Sequence, residues 1–127
     1  YSTYISAEKR GNRIFVANYG TPSCAVYRYE AEKLVQESVL REKKTKKSHI
    51  HCAALTPEEA YVCLVDVGTD EILVYVGGYS EISGREWAKT YRVFVERLLC
   101  LCNYRKQFRG VFDGIYTGAG KKARNFR

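Results

Sequence analysis

The residues with the clearest potential for chemistry in this chain are its two histidines, His49 and His51, at the start of an apparent strand. Side chains two positions apart on a strand share one face of the sheet, so both imidazoles could reach the same ligand. An imidazole can shuttle a proton near neutral pH or donate to an anion, which makes both residues candidate catalytic groups. The alternative is a pair of surface histidines beside the lysine-rich run at residues 42–47. No further carboxylate or cysteine at ligand spacing supports a metal pair, so we expect no metal and no cofactor.

Asn18 and Asp66 are the next candidates, as contacts to a substrate, because each ends an apparent strand just before a polar turn. Side chains of this type also bond to their own backbone in turns. Two interpretations are therefore open, the capping of a hairpin and contact with a ligand, and the pattern favours capping.

The strands that must position these residues come from two copies of one unit. Residues 14–27, IFVANYGTPSCAVY, align without a gap with residues 62–75, VCLVDVGTDEILVY, at an offset of 48. Each copy is a β-branched and aromatic run, a polar turn with glycine, and a second run, which predicts a hairpin. The turn glycines, Gly20 and Gly68, are expected to supply the positive φ that a tight connection usually needs.

A further strand precedes each hairpin, and residues 28–48 leave room for a fourth in the first unit. A period near 48 residues with four short strands per unit is typical of a propeller blade. We therefore predict an all-β fold, a β-propeller fragment of about two four-stranded blades in residues 1–76. A single blade needs neighbours on both faces, so two units imply further blades outside this chain. A plain β-sandwich with two similar hairpins is the alternative.

Residues 12–30, NRIFVANYGTPSCAVYRYE, resemble a blade of the lactonase family of seven-bladed β-propellers, in which a strand runs into an ANYG turn. Residues 48–75 resemble the following blade, which in the family typically carries His-Pro-His, a Pro-Asp-Gly turn and a DLGTD turn. The resemblance covers about residues 4–76. It departs from the family at Ile50, where the family has proline, and at the Glu58–Glu59 pair, where the family prefers Asp-Gly.

The resemblance implies hydrolysis of a sugar lactone, most specifically 6-phosphogluconolactone to 6-phosphogluconate in the pentose phosphate pathway. In a propeller the innermost strand of each blade lines the central channel, so we expect one histidine there, His51 ahead of His49. The resemblance also implies an arginine and a histidine from a G-P-R-H motif and a glutamate from an N-E motif, which this chain lacks as translated. The parent protein is therefore expected to be a lactonase and this fragment to be inactive. A non-catalytic propeller repeat that binds proteins is the alternative.

Residues 77–127, called the tail below, break the pattern of the chain. Residues 1–76 hold ten basic and ten acidic residues, whereas the tail holds eleven basic and four acidic ones and so carries the whole net charge of +7. Such a break indicates a boundary or a change of reading frame rather than a basic surface. We therefore expect no nucleic-acid partner. The run TYRVFVERLLCL, residues 90–101, could form an amphipathic helix, but we interpret it as accidental.

A shifted reading frame restores the missing family motif. Trp87 has only the codon TGG and every alanine codon begins with G, so the shifted codon across Trp87 and Ala88 must encode glycine. The neighbouring codons permit NGPRHIVFSSNGFFAYVITESSSEVS, which contains the expected G-P-R-H and Y-V-x-x-E elements in order. The sequence thus predicts that the tail is read out of frame, with the slip between about Tyr75 and Glu86, and that it forms no reliable domain.

Composition agrees with one ordinary soluble domain of 127 residues, with 46% hydrophobic and 28% charged residues. No apolar run approaches the ~20 residues of a membrane span, and no leader is visible. Five cysteines without framework spacing favour a reducing, cytoplasmic setting. The expected partner is a small-molecule lactone, with no nucleic acid and no membrane, and the oligomeric state is open.

Overall fold

A computed structural model describes residues 1–41, 47–76, 81–82 and 91–102 of the chain. These residues form two antiparallel four-stranded sheets and one helix. The expectations for residues 103–127 and for most of the lysine-rich run lie outside the described residues. Each sheet is a meander in which strands that follow one another in sequence are hydrogen-bonded neighbours. The expected all-β propeller fragment of two blades is confirmed.

The first blade contains four strands of six to eight residues: β1 (Ser2–Ala7), β2 (Arg13–Asn18), β3 (Ser23–Glu30) and β4 (Lys33–Leu40). The fourth strand, β4, lies within residues 28–48, where the sequence left room for it. The second blade contains β5 (Ile50–Leu55), β6 (Tyr61–Asp66), β7 (Glu71–Val76) and the short β8 (Glu81–Ile82). Its last strand lies beyond residue 76, where we had placed the end of the blades.

The pairing register of the central hairpin is the same in both blades. Asn18 pairs with Ser23 across the β2–β3 hairpin, and Asp66 pairs with Glu71 across the β6–β7 hairpin, 48 residues later. Because both hairpins close at the same register, equivalent residues face equivalent sides of the two sheets.

The two blades pack face to face through an apolar core. Phe15 and Val26 of the first blade meet Leu64 and Leu73 of the second, and all four side chains are buried. Burial of one such side chain contributes about 1.5–3 kcal/mol, so this contact holds the two sheets together as one unit.

The other face of the second blade is covered by α1 (Arg92–Leu101), which the amphipathic pattern of the tail predicted and which we had interpreted as accidental. Val95, Leu98 and Leu99 are buried against β5, β6 and β7. The sheet offers an apolar face there, and a helix with one apolar stripe removes that face from water. No helix among the described residues is long and apolar enough to span a membrane.

Candidate functional site

The first strands of the two blades, β1 and β5, lie against each other. The Thr3 hydroxyl donates to the His51 carbonyl at 3.0 Å, and the Ser6 hydroxyl donates to the Ala53 carbonyl at 2.8 Å. The strands β3 and β4 of the first blade are progressively farther from β5 than β1 and β2 are. The first blade therefore diverges from β5 as it runs from β1 to β4. Neighbouring propeller blades have this arrangement, with β1 and β5 as the innermost strands.

Both innermost strands carry an irregularity at the same point. Thr3 lies in a shift of register between Ser2 and Tyr4 of β1, and His51 lies in the equivalent shift between Ile50 and Cys52 of β5. A bulge re-aims the side chain of its extra residue, and bulges are common beside active sites. The candidate catalytic residue His51 therefore occupies a distinctive backbone position that the strand pattern alone did not predict.

The two histidines share one aromatic neighbour, Tyr19, from the β2–β3 turn. The His49 ring stacks on the Tyr19 ring with centroids 4.3 Å apart, and the His51 ring meets it edge-on at 6.5 Å. His49 Nδ1 also lies 3.0 Å from the Tyr19 carbonyl oxygen. The Tyr1 ring also stacks on Tyr19, with centroids 5.7 Å apart. The structure thus places both imidazoles beside Tyr19, although His49 precedes β5 rather than belonging to it.

Asp66 is fully buried, and its carboxylate organises the start of β5. Its Oδ1 accepts the backbone N–H groups of His49 at 2.9 Å, Gly68 at 3.0 Å and Thr69 at 3.2 Å. Its Oδ2 accepts the Ser48 hydroxyl. These bonds compensate the burial of a charge and favour the structural interpretation. Asp66 fixes the backbone that carries His49, and its contact with a substrate stays a prediction.

Arg41 lies beside the same carboxylate and links the blades. Its guanidinium is 2.5 Å from Glu71 Oε2 and 3.8 Å from Asp66 Oδ2, and its side chain is only 9% exposed. Thr69 also donates to the Glu71 carboxylate, at 2.8 Å. The pKa of the neighbouring Asp70 is raised by its burial and by the Asp66 charge. Arg41, Asp66 and Glu71 thus form a network of paired charges beside the histidines. No sequence motif indicated that Arg41 belongs to it.

Gly68 is required by close approach and not by its φ angle. Neither Gly20 nor Gly68 has a φ in the left-handed region, so the expectation of positive φ at these glycines was wrong. The left-handed residue of this turn is Asp70, at φ 54°. A Cβ on Gly68 would overlap the Lys47 carbonyl and would stand 3.1 Å from the His49 ring. The glycine therefore lets the β6–β7 turn lie against the segment that enters β5.

Asn18 takes part in the turn of the first blade. Its Oδ1 accepts the Ser2 hydroxyl at 2.8 Å, and its amide donates to the Val16 carbonyl at 3.4 Å. It ties the start of β1 to the end of β2. Its contact with a substrate is untested.

The arrangement offers acid–base chemistry by imidazole, beside an aromatic surface and a buried carboxylate. Among the described residues, no group of three or more His, Cys, Asp or Glu side chains could hold a metal ion. A histidine on an innermost strand can accept a proton from water near neutral pH.

Comparison with known proteins gives one family. The model of the family described as "Lactonase, 7-bladed beta-propeller" matches residues 1–84. Uncharacterized proteins of Staphylococcus saprophyticus and Staphylococcus epidermidis are 32% and 29% identical, each over 59% of this chain and 25% of the relative. The chain thus spans about a quarter of the length of the curated relatives that it matches.

A solved structure has the same arrangement. The periplasmic gluconolactonase of Pseudomonas aeruginosa is 29% identical, with a TM-score of 0.52 over 60% of this chain and 24% of that one. The match covers 60% of the chain, which is about the share that the two blades occupy.

Proposed function

The chain belongs to the family of seven-bladed β-propeller lactonases, and on that premise we propose that its parent protein hydrolyses a sugar lactone. The observation that carries the proposal is the position of His51, at the bulge of an innermost strand and beside Tyr19. In a complete ring of blades this strand borders the central channel. The Pseudomonas aeruginosa protein is a gluconolactonase, which supports the same reaction class for the parent protein.

In the proposed reaction His51 accepts a proton from water as the oxygen attacks the lactone carbonyl. The ester C–O bond then breaks, and the leaving oxygen takes up a proton to give the open hydroxy acid. Charge develops on the carbonyl oxygen and needs a donor or cation to stabilise it. His49 lines the proposed site next to His51. Its backbone N–H donates to Asp66 and its Nδ1 contacts the Tyr19 carbonyl oxygen, and these contacts hold it in place.

The substrate that we propose is 6-phosphogluconolactone, which would place the parent protein in the pentose phosphate pathway and in the cytoplasm. The solved relative acts in the periplasm and is named for an unphosphorylated lactone, so the two substrates must be compared directly. A rate for 6-phosphogluconolactone at least tenfold above that for gluconolactone supports the phosphorylated substrate. The reverse ratio excludes it while leaving the lactonase proposal intact.

We also propose that the tail is read out of frame, from a slip between residues 75 and 86. The family match ends at residue 84, and the charge imbalance begins with the tail. The codons of the shifted frame permit the arginine, histidine and glutamate that the family resemblance implies. Sequencing the DNA across codons 75–87 tests this: an added or missing base supports the slip, and an unambiguous single frame excludes it.

The chain as translated is expected to be inactive, because it holds the histidine part of the site alone. A pH-stat assay of lactone opening by the purified 127-residue chain should give the uncatalysed rate. The gene restored to the shifted frame should hydrolyse the lactone, and His51→Ala should lower kcat/KM at least about 100-fold. His49→Ala should cost less. Full activity of the restored protein with His51→Ala would exclude the role assigned to this histidine.

A further inference from the structure

A cavity of about 350 Å³ opens between α1 and the ends of the innermost strands, β1 and β5. The strands contribute Tyr4 and Ser6 from β1, and Ala54 and Leu55 from β5. This volume is within the range of small-molecule sites, which is about 300–1,000 Å³. The cavity therefore has room for a small organic molecule.

The cavity is separate from the candidate site at the histidines. His51 lies near the start of β5, whereas Ala54 and Leu55 lie at its end. Three to four residues of extended strand span about 10–13 Å. Neither His49 nor His51 lines the cavity. A ligand held here would therefore not occupy the place proposed for the lactone.

The walls of the cavity are mostly apolar. Ala54 of β5 and Leu98 of α1 are buried, and Leu55 and Phe94 are half-buried beside them. Leu101, in the last turn of α1, also lines the cavity but is exposed, so it stands at the mouth. Apolar ligand surface that enters such a space leaves water, which contributes about 25 cal/mol per Å². The walls therefore favour a ligand with an apolar tail.

The hydroxyl groups of the cavity already have partners within the chain. The Ser6 hydroxyl donates to the Ala53 carbonyl at 2.8 Å. The Thr56 hydroxyl accepts the backbone N–H of Tyr61 at 3.2 Å. A polar ligand that enters an apolar space needs a partner for each of its own polar groups. The cavity therefore offers little to a ligand with many hydroxyl groups, such as a sugar.

Three charged side chains line the cavity, and two of them, Lys9 and Arg97, are cationic. The third, Glu59, accepts the backbone N–H groups of Lys9 and Arg10 with its carboxylate. Neither the Lys9 ammonium nor the Arg97 guanidinium forms an ion pair with a carboxylate among the described residues. Both cationic residues are exposed. The surplus of positive charge therefore favours an anionic head group at the mouth of the cavity.

We propose that this cavity binds a carboxylate with an aliphatic tail, of the kind that octanoate represents. The tail lies along Phe94, Leu98 and Leu101, and the carboxylate pairs with Arg97 and Lys9 at the mouth. A guanidinium can hold a carboxylate through two parallel hydrogen bonds, which an alcohol cannot form. The proposal concerns the chain as translated, because α1 supplies one wall, and it is independent of lactonase activity.

The test is titration of the full 127-residue chain with octanoate, followed by NMR chemical shifts. We expect saturable binding with a Kd of about 0.1–1 mM, and the largest shifts in α1 and at the ends of β1 and β5. Octan-1-ol carries the same tail without the charge and should bind at least about fivefold more weakly. Absence of saturable octanoate binding, or equal affinity for the alcohol, would overturn the proposal.

Two variants locate the ligand. Arg97→Gln should raise the Kd for octanoate about three- to fivefold, and Leu101→Ala should raise it at least about threefold. Arg92→Gln is the matched control, because Arg92 is an exposed cation of the same helix that pairs with Glu96 and does not line the cavity. An equal effect of Arg92→Gln and Arg97→Gln would mean unspecific attraction to a basic surface and would overturn the site. The comparison of octanoate with octan-1-ol on the unaltered chain decides the proposal even if a variant fails to fold.

Discussion

Thr3 and His51 occupy the same position of the two blades, 48 residues apart, and they touch: the Thr3 hydroxyl donates to the His51 carbonyl at 3.0 Å. Both are bulge residues of an innermost strand. The two copies of the repeat therefore touch at equivalent positions. The first copy has Thr3 there, and the second has the candidate catalytic residue His51. The blade–blade contact and the candidate site are built from one backbone feature.

Thr3→Val should weaken this contact without changing the shape of the side chain. The loss of one partly buried hydrogen bond is expected to lower the free energy of unfolding by about 0.5–1.5 kcal/mol. Thr21→Val, at an exposed position of the β2–β3 turn, is the matched control and should change it by less than about 0.5 kcal/mol. Urea unfolding measures both. Equal effects would mean that the hydroxyl does not join the blades.

Much of this could be read from the sequence, because it depends on local pattern. The alignment of residues 14–27 with residues 62–75 predicts both hairpins and their common register. The bulge at His51 could not be predicted, since an extra residue leaves no signature in an alternating strand. The role of Arg41 also escaped prediction, because its partners Asp66 and Glu71 lie in another blade. The packing of α1 could not be predicted from a tail interpreted as read out of frame, yet burial of an apolar face requires only an apolar stripe.

Arg41→Met should be strongly destabilising. The change leaves the Glu71 and Asp66 carboxylates buried without their cation, which typically costs about 3–5 kcal/mol. Arg28→Met is the control, because Arg28 pairs with Glu30 and Glu37 at the exposed side of the first blade, where solvent screens such pairs and they add little to stability. Guanidinium unfolding of both variants gives the comparison. A loss of less than 1 kcal/mol for Arg41→Met would contradict the account of a buried link between the blades.

Glu59 has a strained backbone, and its side chain contacts the first blade. It has a φ of 61°, at the place where the family prefers glycine, and its carboxylate accepts the backbone N–H groups of Lys9 and Arg10 from the first blade. Glu59→Gly should be about 1 kcal/mol more stable than Glu59→Ala, because only glycine relieves the left-handed backbone. Glu59→Gln should retain the contact better than either. Thermal unfolding ranks the variants, and equal values for glycine and alanine would contradict the strain.

Cys24 should make stability depend on pH in the alkaline range. Burial raises the pKa of this thiol to about 12, and a bond from the Val16 backbone opposes the shift only in part. Because the folded pKa is raised, the contribution is fully present below the unfolded pKa of about 8.5 and is lost as pH rises towards 12. Relative to Cys24→Ala, the native chain should lose about 2–3 kcal/mol between pH 8 and pH 10.5. Urea unfolding at both pH values measures the difference, and a constant difference would contradict the burial of a neutral thiol.

Leu98→Ala should show whether α1 is a working part of this chain. Leu98 is 1% exposed in the cluster between the helix and the second blade, so its truncation should lower the free energy of unfolding by about 2–5 kcal/mol. Leu101→Ala, in the same helix but 71% exposed, is the matched control and should change it by less than about 0.5 kcal/mol. Both changes give alanine in a helix, so intrinsic helix propensity cancels in the comparison. Similar small effects in urea unfolding would mean that the helix does not cover the blade in solution. A large and selective loss at Leu98 would mean that the tail, whatever its reading frame, covers the face that a third blade would otherwise occupy.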